Sequence, residues 1–337
     1  MAGRCRVRVE TVIRRGRNVD MNRDYCVYGA SATSAESDMR SIQLDKKASV
    51  IIPTYHSWPD LQRCLDLLEA QTTPASDFEI VVVNNAATDE VPDDFHLPPN
   101  ARVIREPKPG SYAARNAGIG AAGTDLLFFT DADCRPRPDY IAQGLKAFAA
   151  HPDVLRFAGA VELEAAGEVW TIAERVDRMT SLKQEHYASQ GRAATANIFV
   201  RRAAFEAVGL FDDTALSGGD MEWARRCNAQ GVKQLYVPEV MVGHPARASM
   251  EAHAIKRRRI LGAQIRNADP RKKWKYHIPP FKRFLLPSFG AMRSAFREPD
   301  VTLWQRFQIW SFLNRLRRVI AKEQIRLTWF KGRHERR

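Results

Sequence analysis

Long hydrophobic runs are missing from this chain. The best apolar stretch, Leu126-Leu127-Phe128-Phe129, is stopped at Asp131, far short of the roughly 18 uncharged apolar residues of a membrane-spanning helix. Cysteine pairs are missing too: Cys5, Cys26, Cys64, Cys134 and Cys227 are odd in number, scattered, and never in a C-x-x-C pattern. That excludes a disulfide framework or zinc site and leaves them as free thiols. Behind Arg4, Arg6 and Arg8 no apolar segment follows, so no secretory signal is expected; Met21 is a second candidate start beside Met1, and the cytoplasm is the expected location. Acidic residues are scarce at one end. From Ile255 to Arg337 there are 23 Lys and Arg against 5 Asp and Glu, so the preceding 254 residues carry a formal charge of −5 although the whole chain carries +13. A mildly acidic body with a strongly basic end points the tail at an anionic partner: a membrane surface, nucleic acid or an acidic polymer.

What is present is globular. The chain is 45% hydrophobic and 27% charged, with 19 Gly and 18 Pro, which excludes fibrous, collagen-like and wholly disordered classes. Its 337 residues predict one large α/β domain with a smaller appendage. Residues 1–47 are polar and aperiodic, a leader expected to be poorly ordered. At Ala48 the texture changes. Ser49-Val50-Ile51-Ile52-Pro53 reads as a buried parallel strand; Ser57 and Pro59 start a helix whose Leu61, Cys64, Leu65 and Leu68 share one face. Strands follow at 78–83 and 102–105, then a Gly/Ala-rich helix over about 112–122 and a strand at 126–130. This alternation predicts a doubly wound α/β plan with a mainly parallel sheet, whose ligands sit at the carboxyl ends of the strands.

Three polar loops follow those strand ends: Pro53-Thr54-Tyr55, Asn84 to Asp89, and Asp131-Ala132-Asp133. Two carboxylates crowded at the end of a buried strand need a cation, and hard oxygen ligands suit Mg²⁺ or Mn²⁺ with a diphosphate. A bare Asp-x-Asp is more often a turn or cap; its position behind Leu-Leu-Phe-Phe-Thr is what raises it.

Four motifs in register, Val50-Ile51-Ile52-Pro53-Thr54-Tyr55, Val81-Val82-Val83-Asn84-Asn85 ending at Asp89, Pro109-Gly110-Ser111-Tyr112-Ala113-Ala114-Arg115-Asn116-Ala117-Gly118 and Phe129-Thr130-Asp131-Ala132-Asp133, resemble family 2 glycosyltransferases of the GT-A fold. Ala196 to Arg202, Gly209-Leu210-Phe211-Asp212 and Ser217-Gly218-Gly219-Asp220-Met221-Glu222-Trp223 extend the resemblance over about residues 48–260. It implies a GT-A catalytic domain over 48–250, followed by a basic helical extension over 251–337. It further implies that Pro53, Thr54 and Tyr55 flank the nucleotide base and that Asn85 accepts a hydrogen bond from it. Arg115 approaches the diphosphate or donor sugar, Asp131 binds ribose or metal, Asp133 is the main metal ligand, and His244 touches the metal or diphosphate. Asp220 is the implied catalytic base, deprotonating an acceptor hydroxyl opposite the leaving group, so that the anomeric configuration inverts. Asn84-Asn85 and Ala86-Ala87 depart from the family pattern, as does Gly219, where relatives often carry Glu.

The implied donor is a nucleotide-diphosphate sugar, with UDP the first candidate, and the acceptor a lipid-linked or polysaccharide hydroxyl. In the tail, Leu303, Trp304, Phe307, Trp310, Leu313, Leu316 and Ile320 recur at helical steps among Arg306, Arg315, Arg317, Arg318 and Lys322. That is a basic amphipathic helix of the kind that lies on an anionic membrane, and it would place the enzyme on the inner face of the cytoplasmic membrane. The competing reading packs this helix on the catalytic domain. Two functional rivals are a polyprenyl-phosphate glycosyltransferase, which needs no strong base, and nucleic-acid binding through the tail, for which no recognised motif appears.

Overall fold

The structure, a computed structural model, describes residues 46–86, 88–266 and 268–330. Residues 1–45, on which the expectation of a poorly ordered leader falls, lie outside the described residues, as do Ala87, Asn267 and residues 331–337.

β1 (Ala48–Thr54) is uncharged and rich in β-branched residues, and it lies in the interior of the sheet. It pairs in parallel with β2 (Phe78–Asn84) on one side and β4 (Leu126–Thr130) on the other, while β3 (Ala101–Arg105) lies parallel outside β2. β5 (Arg135–Pro136), β6 (Arg156–Glu164), β7 (Asn197–Arg201) and β8 (Gln234–Pro245) complete an eight-stranded sheet in the order β3-β2-β1-β4-β7-β6-β8-β5. β7 runs antiparallel to β4 and β6, β8 parallel to β6 and antiparallel to β5, so the sheet is mixed and mainly parallel.

Both faces of the sheet are covered, which is why its strands read as continuous apolar runs. One face packs under α1 (Trp58–Glu69) and α3 (Tyr140–Ala150), with Phe199 stacked between Phe128 and Phe157 at ring separations of 5.4 and 4.9 Å. The other packs under α2 (Ser111–Ala121), with Ile51, Val81, Phe129, Phe205 and Trp223 at its centre. Pro59 sits in the first turn of α1, where its missing N–H has no intrahelical partner to lose. The β6–β8 register slips between Gly159 and Ala160. The irregularity is held by Asn197, whose amide donates to the Ala160 and Val240 carbonyls at 2.8 Å each.

The carboxyl ends of β1, β2 and β4 open on one edge. Thr54 aligns with Asn84, and Thr130 at the end of β4 aligns with Asn197 at the start of antiparallel β7. β8 returns along β6 and, through β5, brings Gly243 opposite Arg135, close behind the Asp-x-Asp turn.

Around this core lie α4 (Ile172–Thr180), α5 (Gln184–Ala188), α6 (Arg202–Val208) and α7 (Gly219–Ala229). The basic end forms α8 (Met250–Arg266), α9 (Phe281–Leu285), α10 (Phe289–Arg297) and the 27-residue α11 (Leu303–Trp329). α11 divides the apolar positions read from the sequence between packing and exposure. Ile309 and Leu316 are buried, and Ile309 packs with Phe312, Leu313, Val176 of α4 and Ala295 of α10, whereas Leu303, Trp304 and Phe307 stay exposed. The apolar residues of α11 are spread too widely for one stripe, so the helix satisfies the packing reading along its middle and leaves its first turns uncovered. Gln324, buried in α11, donates to the Tyr276 and Ile278 carbonyls and ties the intervening segment to the same helix. Among the described residues no helix is long and apolar enough to cross a membrane.

Candidate functional site

The Asp-x-Asp turn directly follows β4, so its geometry is set by a strand buried on both faces. Asp131 accepts the Cys134 N–H through its backbone carbonyl at 3.0 Å, which closes the turn and keeps both carboxylates at the rim. β8 supplies the fourth wall. One ligand atom from each of Asp131, Asp133, Cys134 and His244 lies within 4.8 Å of the others. His244 is buried; its Nδ1 lies 2.9 Å from the Pro245 carbonyl, and its Nε2 lies 3.6 Å from Asp133 Oδ2. A carbonyl only accepts, so Nδ1 donates to Pro245, and Nε2 is the ring nitrogen turned toward Asp133. Two carboxylates and an imidazole are a donor set that suits Mn²⁺ or Mg²⁺. Cys134 is a poorer ligand: its Sγ donates to the Ala196 carbonyl at 3.6 Å, and burial, with Asp131 and Asp133 adding to it, pushes the thiol well above its ordinary value. Asp133 and Cys134 also line an open cleft of 280 Å³ with Asp60, Arg63, Arg135 and Pro245.

Arg115 joins this cluster to Asp220. It is 3% exposed on α2, pairs through Nη2 with Asp131 Oδ1, and stands 5.4 Å over the Tyr112 ring. Its Nε is buried with no partner. Tyr112 in turn hydrogen-bonds Asp220, which lies in the first turn of α7 and also accepts the Met221 N–H at 2.8 Å. Burial pushes the Asp220 carboxyl up, while the Met221 N–H, the Arg115 charge, the Tyr112 phenol and the Thr195 N–H pull it back. The net shift is upward, toward the range of a working base. α7 begins at Gly219, directly before Asp220: Gly218 ahead of it takes φ +73°, and a Cβ at Gly219 would come within 2.7 Å of the Tyr112 ring. The glycine at 219, a departure from the family pattern, is what lets Tyr112 reach the carboxylate.

The nucleotide side is less direct. Thr54 is buried and its Oγ1 has no partner, while Pro53 and Tyr55 are half-buried at the rim. Asn85 differs from the expectation. Its Nδ2 donates to the Glu106 and Lys108 carbonyls at 2.8 and 2.7 Å and its Oδ1 accepts the Gly110 N–H at 2.8 Å, all within a residue that is 4% exposed. An amide turned inward this way clasps the loop that delivers α2, so the ground for preferring a uracil base is removed. Asn84 holds the same turn by donating to the Asp89 carbonyl at 2.8 Å, and Asp89 accepts from Trp58 Nε1 at 2.8 Å.

The structure thus brings Asp131, Asp133 and His244 into one cluster and links it through Arg115 and Tyr112 to Asp220. Sequence reasoning missed Tyr112; the available signal was an aromatic residue inside an otherwise Gly/Ala-rich helix.

Comparison with known proteins bears on the family and the fold. The family described as Glycosyl transferase family 2 matches residues 49–209. The chain is 35% identical over 205 residues to Glycosyltransferase AglE of Haloferax volcanii, covering 59% of this chain and 67% of that protein. It is 28% identical over 168 residues to Putative glycosyltransferase EpsH of Bacillus subtilis, covering 47% of this chain; it spans about half, 48%, of that protein's length. In three dimensions it resembles the mannosyltransferase PcManGT from Pyrobaculum calidifontis, solved with GDP-Man and Mn²⁺, with a TM-score of 0.54, 18% identity, and coverage of 86% of this chain and 89% of that one.

Proposed function

The chain belongs to glycosyl transferase family 2 and has the GT-A fold, and from that premise we propose that it is a metal-assisted, inverting transferase that takes a sugar from a nucleotide-diphosphate donor. The observation that carries the reading is the clustering of one ligand atom each from Asp131, Asp133 and His244 within 4.8 Å at the end of β4, with His244 Nε2 3.6 Å from Asp133 Oδ2.

Asp133, Asp131 and His244 would hold Mn²⁺ or Mg²⁺, which when bound neutralises charge on the departing diphosphate. Arg115 holds Asp131 in place, and its buried Nε has no partner. Thr54, between Pro53 and Tyr55, has an orphaned hydroxyl that a bound base or ribose would satisfy. Asn85 fixes the loop behind them. Asp220 takes the proton of the acceptor hydroxyl, with Tyr112 and the Met221 N–H fixing the orientation of its carboxylate. With the base on the side opposite the leaving group, one displacement inverts the anomeric centre. Incubation with UDP-, GDP- and dTDP-sugars tests this: Mn²⁺-dependent release of one nucleoside diphosphate, with the product sugar of inverted configuration by proton NMR, is expected. Retained configuration would sink the single-displacement mechanism.

The acceptor reading is lipid-linked or polysaccharide, and the domain reading is a catalytic unit over 48–250 carrying an extension over 251–337 that meets an anionic membrane. What supports the membrane is the exposure of Trp304 (70%), Phe289 (80%), Phe281 and Leu285 among the cations of α9, α10 and α11. Sedimentation with phosphatidylglycerol vesicles is expected to capture the protein, and Trp304→Ser with Phe289→Ser to weaken capture by about tenfold. Equal partitioning of wild type and the double variant would remove the membrane from the account.

A further inference from the structure

A second charged cluster lies between α4 and α8, away from the carboxylate pair. At its centre is Asp177, fully buried, whose side chain accepts Ser181 Oγ at 2.5 Å, the Arg247 N–H at 3.0 Å and Arg247 Nη1 at 3.0 Å. Lys256 Nζ stands 3.9 Å from the same carboxylate. Arg257, also half-buried, feels Asp177 and Tyr187 but forms no hydrogen bond or ion pair among the described residues. Two cations, Arg247 and Lys256, therefore lie within 4 Å of one carboxylate with Arg257 next in the helix and in electrostatic reach, and that carboxylate already accepts from Arg247 and Ser181. Burial, followed by repulsion from Arg247, brings the Lys256 ammonium down to about 7, with Arg257 and Arg259 adding to it and Asp177 opposing. Partly desolvated cations in excess of their counter-ions are costly, and a bound anion removes the cost.

The position in the chain says which anion. Arg247 follows His244 of the metal cluster by three residues. α8 carries Lys256 and Ala263 seven residues apart on one helical face, and Ala263 is in contact range of Gly218, next but one to Asp220. Seven residues of helix span about 10 Å. The helix that carries Lys256 and Arg257 thus also reaches the start of α7 beside Asp220, with about 10 Å of helix between the two, a length on the scale of a phosphate and one sugar ring.

We propose that Arg247, Lys256 and Arg257 form an anion pocket that holds the phosphate group of a phosphorylated acceptor whose hydroxyl reaches Asp220. This rests on the transferase reading. It narrows the acceptor to one bearing a phosphate ester, and it keeps Asp220 necessary because the nucleophile is a hydroxyl beyond the phosphate.

The test is calorimetric titration of the full chain with farnesyl phosphate, farnesol and inorganic phosphate, without metal, on wild type, Arg257→Gln, Arg257→Lys and Asp133→Ala. Farnesyl phosphate is expected to bind wild type and Asp133→Ala equally, to bind Arg257→Gln about tenfold or more weakly, and to recover in Arg257→Lys; farnesol is expected not to bind. Equal affinity for wild type and Arg257→Gln, or no binding to wild type, overturns the proposal. Binding that needs Mn²⁺ and vanishes in Asp133→Ala also overturns it, by assigning the phosphate to the donor site. Inorganic phosphate binding as tightly as the ester overturns the acceptor assignment. Nucleoside diphosphate binding to wild type with Mn²⁺, run alongside, reports on the donor reading separately.

Discussion

Asp220→Asn is expected to lower kcat by about 10²- to 10⁴-fold while leaving Mn²⁺-dependent nucleotide affinity within about twofold of wild type. The amide keeps the shape of the carboxylate and still accepts the Met221 N–H and the Tyr112 phenol, so α7 starts as before. What it loses is the basic oxygen that, in the proposed mechanism, receives the acceptor proton. The pH profile carries a second signature. The base works ionised, and burial raises its pKa, so wild-type activity should fall with decreasing pH while still above the ordinary carboxylate range near 3.9. That acid limb should be absent from the residual activity of the asparagine variant. A variant retaining near wild-type kcat would mean that the acceptor arrives already anionic, as in transfer to a polyprenyl phosphate, and Asp220 would then be a helix-start residue only.

Much of the site was legible because it is local. The Asp131-Ala132-Asp133 turn, the strand before it and the apolar face of α1 are each set by a few consecutive residues, and the strand at 126–130 lies where the sequence placed it. Tertiary pairings were not legible. That His244 reaches Asp133 depends on β8 running along β6 and folding back on β5, a path of non-local strand pairs. Asn85 sits where a base-binding residue was expected, but which way a carboxamide points depends on the 106–110 loop, more than twenty residues away. Gly219 read as a gap in a pattern; only the Tyr112 ring lying over it gives the reason. In the tail, spacing marked Trp304 and Leu316 as one apolar stripe, yet one is exposed and the other buried, because contact with α4 and α10 is decided by how the helices cross. The cation cluster around Asp177 gave no motif, since its members come from α4, the loop after β8, and α8.

The second large effect concerns the metal cluster. Asp133→Ala removes the carboxylate that His244 faces, leaving Asp131, already paired with Arg115, as the remaining acid. One carboxylate engaged by a guanidinium is a poor site for a divalent ion, and affinity for a nucleoside diphosphate in the presence of Mn²⁺ should fall on the order of 100-fold. His244→Ala should weaken it less, since the two carboxylates remain. Removing metal from wild type with EDTA should reproduce the Asp133→Ala result, because both act on the same contact.

The most direct measurement is calorimetric titration of wild type and Asp133→Ala with UDP, GDP and dTDP, each with Mn²⁺ and with EDTA. Binding of one nucleotide to wild type only when Mn²⁺ is present, and its loss in Asp133→Ala, is the result expected of a metal-assisted donor site at the end of β4. Nucleotide binding that is equal in EDTA, or unchanged in Asp133→Ala, would contradict it.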